Sequence, residues 1–308
     1  MFDAPPGIIL ERLADWLGSG LASALITIVS CKGRTSRSVG TIMAIGEDGR
    51  RAGSISGGCF DASITTEAVE AISDRMPRIL RLGQGSPWID IRLPCGGGLE
   101  LLILPGPDFG TLTAMIACLR ARRPVSVEFS VEHGIRIAEP IQETSWDGRI
   151  CRRLLQPPVR LLAFGSGGEV VSLAKLARSA GLDVTIGSPD RCVLDALGDA
   201  GNGILLKSPD SPLDIACDAR TAVAFFFHDH DWEPPLIEQA LRSPAFFVGA
   251  MGSRTAQAQR LQTLRARGVS EAALDRLVCP IGLFGPARDP RSLAVSALAQ
   301  IFQIAGEG

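Results

Sequence analysis

From residue 160 onward, short apolar runs alternate with stretches of helical spacing. RLLAFG, beginning at Arg160, has prolines before it and glycines after it, the pattern of a strand buried on both faces of a parallel sheet. Gly165-Ser166-Gly167-Gly168 follows, then EVVSLAKLARSA with helical spacing, and Gly181 stands where a helix-ending glycine belongs. LDVTIG supplies a second buried strand. Strand, glycine turn, helix and strand within about 30 residues predict a βαβ unit. The alternation continues through TAVAFFF from Thr221, the short helix EPPLIEQALRS and the run AFFVGAMG from Ala245. It ends in the helix RTAQAQRLQTLRAR, with Ser253 as its cap and Gly268 as its stop. Residues 156–308 are therefore expected to form a Rossmann-like domain, a doubly wound parallel sheet.

Residues 1–155 are patterned differently. A helix, IILERLADWL, precedes a strand, LASALITIVS, and a polar, basic loop, CKGRTSRSVG. TIMAIG and GSIS predict a strand pair around a turn at Glu47-Asp48-Gly49. Gly57-Gly58-Cys59 leads into the helix FDASITTEAVEAI, and Leu93-Pro94-Cys95-Gly96-Gly97-Gly98 leads into the strand LELLILP. A helix, TLTAMIACLRA, and a strand, PVSVEFSV, come before a connection through Gln156-Pro157-Pro158. This half reads as a mixed, strand-rich α/β domain.

Composition narrows the function classes. A chain of 308 residues suits two domains, and 46% hydrophobic with 21% charged residues is an ordinary globular balance. A net charge of -2 gives no electrostatic reason to expect nucleic acid. No run reaches the ~18 apolar residues of a membrane span. The start, MFDAPPGIILERLADW, does not pattern as a signal peptide, so a cytoplasmic address is expected. The eight cysteines form no CxxC pair and are expected to be mostly free thiols.

Three unusual segments fall at strand ends in the second half, where ligands of doubly wound sheets sit. Gly165, Gly167 and Gly168 let a backbone approach a phosphate at a helix N-terminus. The dinucleotide fingerprint is incomplete: Val170 stands at the third glycine position, and Ser188, with Asp190 two residues on, stands where an acidic residue would hold a ribose. Gly249, Gly252, Ser253 and Arg254 form a second candidate anion cradle, with Arg254 able to make bidentate phosphate contacts. His228 and His230, at i and i+2 of a strand end, project to one side and could ligate a metal, move a proton or bond a ligand. No third ligand is evident, so no dedicated metal site is expected. In the first half, Cys59 and Cys95 both lie in glycine-rich turns, and Cys59 precedes a helix that favours its thiolate. Either is suited to nucleophilic chemistry or to a soft metal. Arg34, Ser36, Arg37 and Ser38 could supply further anion contacts.

Taken in order, SVGTIMAIGEDGRRAGSISGGCFDA, LPCGGGLELLILP, LLAFGSGGEVVSLAKLARSAGLDVTI, FFHDHD, FFVGAMGSR and CPIGLFGPARDPRSLAVSALAQI resemble the XdhC/CoxI family of accessory factors for molybdenum hydroxylases. The resemblance spans roughly residues 20 to 303. It implies a molybdenum cofactor (Moco, a molybdopterin) chaperone that protects the cofactor and inserts it, sulfurated, into a xanthine dehydrogenase-type apo-enzyme. It further implies a homodimer, a sulfurase as another partner, and binding rather than turnover. By motif it assigns Gly57, Gly58, Cys59 and Asp61, then Cys95, Gly96 and Gly97, then Gly249, Gly252, Ser253 and Arg254, and finally Gly282 within Pro280-Ile281-Gly282, to cofactor binding. Cys59 and Cys95 become soft ligands to Mo. The chain departs from the family pattern at Gly168, at Ser188-Pro189-Asp190-Arg191, at Phe284 and at Gln300. The alternative is an NAD(P)-dependent oxidoreductase, in which Ser188 and Arg191 would suit a 2′-phosphate. The chain has no tyrosine, so a Tyr–Lys hydride-transfer pair is impossible.

Overall fold

The computed structural model describes residues 4–33, 37–55, 60–83, 97–209, 217–228, 231–285, 287 and 289–306. The chain forms two units, Met1–Pro157 and Pro158–Gly308.

The first unit opens with α1 (Pro6–Gly18), which starts on a proline and buries Ile9, Leu10, Leu13 and Ala14 at helical spacing. β1 (Ser23–Lys32), β2 (Ile42–Gly46) and β3 (Arg51–Ala52) follow, then α2 (Asp61–Asp74), β4 (Arg78–Gly83), β5 (Gly98–Pro105) and α3 (Phe109–Arg120). The five strands form an antiparallel sheet in the order β3-β2-β1-β5-β4. β1 is central and covered on both faces. Leu25 and Val29 pack with α1 and α3, while Ala24, Ile26 and Ile28 pack with Ile64 and Ala68 of α2. That two-sided burial explains why β1 reads as a continuous apolar run. A second antiparallel sheet is made of β6 (Val125–Ser130), β7 (Gly134–Ile137), β8 (Ser145–Trp146) and β9 (Ile150–Leu155), in the order β7-β6-β9-β8. It contributes Val127, Phe129, Cys151 and Leu155 to the core beside α1 and α3.

One expectation is corrected here. GSIS is not the partner of TIMAIG. The partner is β3, paired Ala44↔Ala52 and Ile45↔Arg51 immediately after the turn. Gly53 ends the pairing with φ +87, and a Cβ there would lie 2.8 Å from Ile9 Cδ1 and 3.0 Å from the Ile42 carbonyl oxygen. The chain leaves the sheet at the one residue type that fits.

The second unit contains β10 (Arg160–Gly165), α4 (Gly168–Ser179), β11 (Asp183–Ser188), α5 (Arg191–Asp195) and β12 (Asn202–Leu205). It continues with β13 (Thr221–Phe226), α6 (Glu233–Arg242), β14 (Phe247–Ala250), α7 (Arg254–Ala266), α8 (Glu271–Leu274), β15 (Leu277–Val278) and α9 (Pro290–Ala305). All six strands are parallel, in the order β12-β11-β10-β13-β14-β15. This is the doubly wound Rossmann order, with its reversal between β10 and β13. Helices cover both faces. Ala222, Ala224 and Phe226 of β13 face α4 and α9, and Val223 and Phe225 face α6. Phe164 stacks on Phe225 at 5.5 Å between ring centroids. Gly187 makes room for that ring, since a Cβ there would come within 2.4 Å of Phe164.

Candidate functional site

The reversal point is built from β10 and β13, which pair to their last residues, Gly165↔Phe226. A Cβ on Gly165 would lie 2.5 Å from the Phe226 carbonyl oxygen, so this glycine is required by the neighbouring strand itself. Gly168 has no such constraint, with Pro290 at an ordinary 3.7 Å. Between them, Gly167 is covered by a side chain that the sequence pattern does not single out. Glu169, in the first turn of α4, folds back so that its Oε2 lies 2.6 Å from where a Gly167 Cβ would be. The helix dipole favours a carboxylate there. Its other oxygen faces Nε2 of His228, just beyond β13, at 3.6 Å. Glu169 keeps 19% of its side-chain surface and His228 keeps 65%.

The turn after β14 comes next. Gly249 is buried within the strand, where a Cβ would strike Phe247 at 2.6 Å and Ile281 at 2.9 Å. Gly252 has φ +148, a backbone region that favours glycine. Ser253 spends its hydroxyl on the α7 N-cap, accepting from the Ala256 N–H at 3.2 Å. Arg254 is exposed in the first turn of α7. Beneath the turn lies Arg260, buried on α7, which donates to the Met251 carbonyl at 2.8 Å and to Glu233 Oε2 from two nitrogens at 3.0 and 2.8 Å. The same guanidinium contacts Cys279 Sγ at 3.1 Å. Burial nevertheless pushes the Cys279 thiol up, with Arg260 pulling against it. Arg260 was accessible to sequence reasoning only as a charge at an inward position, four residues before the buried Leu264.

The segment after β15 closes the site. Ile281 N–H bonds the Ala250 carbonyl at 3.0 Å, and Gly282 N–H bonds Gln300 Oε1 of α9 at 2.7 Å. Gly282 has φ +125, and a Cβ there would meet Ser296 Oγ at 2.7 Å. Ser296 accepts from the Phe284 N–H at 2.9 Å and donates to the Phe284 carbonyl at 2.6 Å. The result is a cavity of about 530 Å3 at the carboxyl ends of the sheet, lined by Glu169, His228, Met251, Gly252, Ile281 and Gly282 among others. Leu283 and Phe284 stand half exposed on its wall. Asp289 also lines it, with its carboxylate engaged as the α9 N-cap.

The dinucleotide features read differently in space. Ser188 is fully buried and accepts the Asp190 N–H at 3.2 Å. Asp190 in turn caps α5 by accepting the Cys192 N–H at 2.8 Å. The Ser188 hydroxyl is thus sealed, and one oxygen of Asp190 is taken by the helix cap.

In the first unit, Asp61 is buried at the start of α2, and Ser54 Oγ donates to its Oδ2 at 2.7 Å. Its carboxylate thus ties residue 54 to residue 61, across the segment that carries Cys59. Gly97 is buried just before β5, its Cα 3.4 Å from where a Gly33 Cβ would be. Gly57, Gly58, Cys59, Cys95, Gly96 and His230 lie outside the described residues, as do Arg34 and Ser36. Among the described cysteines, burial pushes the Cys151 thiol up to about 11 and raises Cys217 as well, away from thiolate chemistry. No group of three or more His, Cys, Asp or Glu side chains suited to a metal occurs among the described residues. No helix among them is long and apolar enough to cross a membrane.

The fold and cavity define a two-unit α/β protein with a Rossmann sheet and a pocket at its topological reversal. Residues 161–301 match the XdhC Rossmann domain, and residues 16–83 match the XdhC and CoxI family. The molybdenum cofactor insertion chaperone PaoD of Escherichia coli (strain K12) is 32% identical over 297 residues, covering 96% of this chain and 87% of that protein. A probable xanthine dehydrogenase subunit from Bacillus subtilis (strain 168) is 22% identical, over 91% of this chain and 92% of that one. A crystal structure described as a xanthine dehydrogenase from Bacillus halodurans superposes with a TM-score of 0.78 at 20% identity, over 96% and 95% of the two chains. The chain belongs to the XdhC/CoxI family.

Proposed function

We propose that this chain is a molybdenum cofactor chaperone. It holds the cofactor as cargo, shields it, and delivers it in sulfurated form to a xanthine dehydrogenase-type molybdenum hydroxylase. The observation that carries this reading is the 32% identity to an insertion chaperone over 96% of the chain. Each unit, taken by itself, carries donors suited to such a cargo. In the second, the polar pair Glu169 and His228 meets an apolar wall in a cavity within the size range of small-molecule sites. Arg254 is the exposed cation beside it in sequence, suited to a phosphate. In the first, Cys59 and Cys95 are the soft donors, and Asp61 is a positioning residue for the Cys59 segment. The chain binds and releases rather than turning over a substrate. A cytoplasmic setting, a homodimer and a sulfurase partner belong to the same proposal.

The nicotinamide alternative gains nothing from the second unit. Glu169 covers the glycine turn where a pyrophosphate would sit, and Ser188 is sealed. The test is transfer. Protein loaded anaerobically with Moco and freed of excess should activate an apo-hydroxylase faster than free Moco at equal concentration. Equal rates would defeat the proposal. Cys59→Ser should keep the far-UV circular dichroism and melting profile of the parent yet lose retained molybdenum to background; full retention would remove Cys59 from the site.

A further inference from the structure

We infer that the cavity at the carboxyl ends of the second unit's sheet recognises an aminopyrimidinone ring edge, a ring N–H beside an exocyclic NH2, with Glu169 as the acceptor that selects it. The inference deepens the chaperone reading and rests on it for the source of the ring, a pterin.

Glu169 is four-fifths buried and lines the cavity. His228 Nε2 stands 3.6 Å from it, beyond hydrogen-bond length, and no donor among the described residues bonds it. A carboxylate offers about four lone-pair sites, and here they open on the cavity with no protein donor filling them. The cavity therefore calls for a ligand that brings donors. A phosphate brings only acceptors and negative charge. Adenine presents an NH2 beside an acceptor nitrogen, a mismatch for two carboxylate oxygens. An aminopyrimidinone presents two parallel donors, one for each oxygen.

The walls select the rest of the ligand. Met251, Ile281 and Leu293 are apolar, and the Leu283–Phe284 strip stands 50% and 54% exposed on the cavity wall. Ser296 holds that strip by bonds to both the N–H and the carbonyl of Phe284. A held, exposed aromatic beside an unfilled carboxylate suits a flat heterocycle covered on one face and read along one edge.

The test is a fluorescence titration of the full chain and of Glu169→Gln with pterin. Lumazine (the analogue with oxygen in place of the 2-amino group), GMP and arginine methylamide are run beside it. The parent should bind the pterin at least about tenfold tighter than lumazine, and Glu169→Gln should erase that preference with its melting temperature unchanged. Tighter binding of GMP than of the pterin would keep the edge recognition and assign it to a guanine nucleotide. Equal binding of pterin and lumazine, an unchanged preference in the variant, or binding of the arginine probe alone would overturn the inference. Gel filtration with intact Moco separates the two readings. A parent that retains no Moco contradicts the chaperone proposal, whereas parent and Glu169→Gln retaining it equally contradicts only the role of Glu169.

Discussion

β13 in the second unit and β9 in the first are both six-residue strands with opposite compositions. β13 reads TAVAFF and every residue is buried. β9 reads ICRRLL, and only Cys151 and Leu155 are buried. The difference is layering. β13 has a parallel neighbour on each side and helices on both faces, so no position tolerates a charge. β9 lies in a four-stranded antiparallel sheet with one face on the core. Its outward Arg152 is met by Glu128 at 2.9 Å and Asp147 at 3.1 Å. A two-sided sheet thus writes its strands into the sequence as apolar runs, and a one-sided sheet writes only every second residue.

Substitutions on the two strands should differ widely in cost. Phe225→Ala should cost about 3–5 kcal/mol, because the ring is sealed between Phe164 and α6 and the site cannot collapse. Arg152→Ala on β9 should cost under about 1 kcal/mol, as a surface ion pair does. Urea denaturation of both variants measures this, and similar costs would mean that β9 is more deeply enclosed than its burial shows.

Next in size is a contrast between two glycines of one motif. Gly165→Ala should destabilise by about 1–3 kcal/mol, since the new methyl meets the Phe226 carbonyl, whereas Gly168→Ala should be neutral or slightly stabilising in the first turn of α4. Thermal melts that rank the two the other way would show that the turn's glycines serve the backbone conformation rather than packing.

The smallest effect concerns Arg153, which points to the core side of β9. Its Nη1 is sealed without a hydrogen-bond partner, its stem packs on Gly40, and burial holds its pKa down to about 10. The unfolded chain keeps the proton to higher pH, so below about pH 10 the folded state bears the full cost of the charge, and stability is regained only as pH rises through that value. Arg153→Met should therefore stabilise by about 1 kcal/mol, by an amount constant between about pH 6 and 8. Melting curves at several pH values in that window check it; a loss of stability would mean that the guanidinium has a use in the fold.

The same layering sets how far sequence reading reaches. β1, β5, β10, β11, β13 and β14 are readable as apolar runs. β4, with RILRLG, is interrupted by Arg78 and Arg81 on opposite faces, β9 by Arg152 on the outward face and Arg153 on the core side, and β12 and β15 are hidden by brevity. At the site, His228, Gly252 and Gly282 are readable and line the cavity. Gly165 and Gly249 stand out in the sequence as cradle glycines, but space gives each a packing reason. Glu169 is unreadable because its importance depends on the parallel pairing of β10 with β13, which brings His228 beside it from far along the chain. Ser296 is hidden for a similar reason, acting across the gap between α9 and the loop after β15, while Gln300, readable only as a departure from the family pattern, bonds Gly282 across the same gap.

On the proposed reading, the chain binds the family's cargo and not a nicotinamide. An anaerobic titration of the purified protein with Moco, and separately with NAD(H) and NADP(H), tests this most directly. Tight, saturable Moco binding with no nicotinamide binding is the expected result. Saturable binding of NADP(H) with none of Moco would contradict it and turn attention to a reducible substrate.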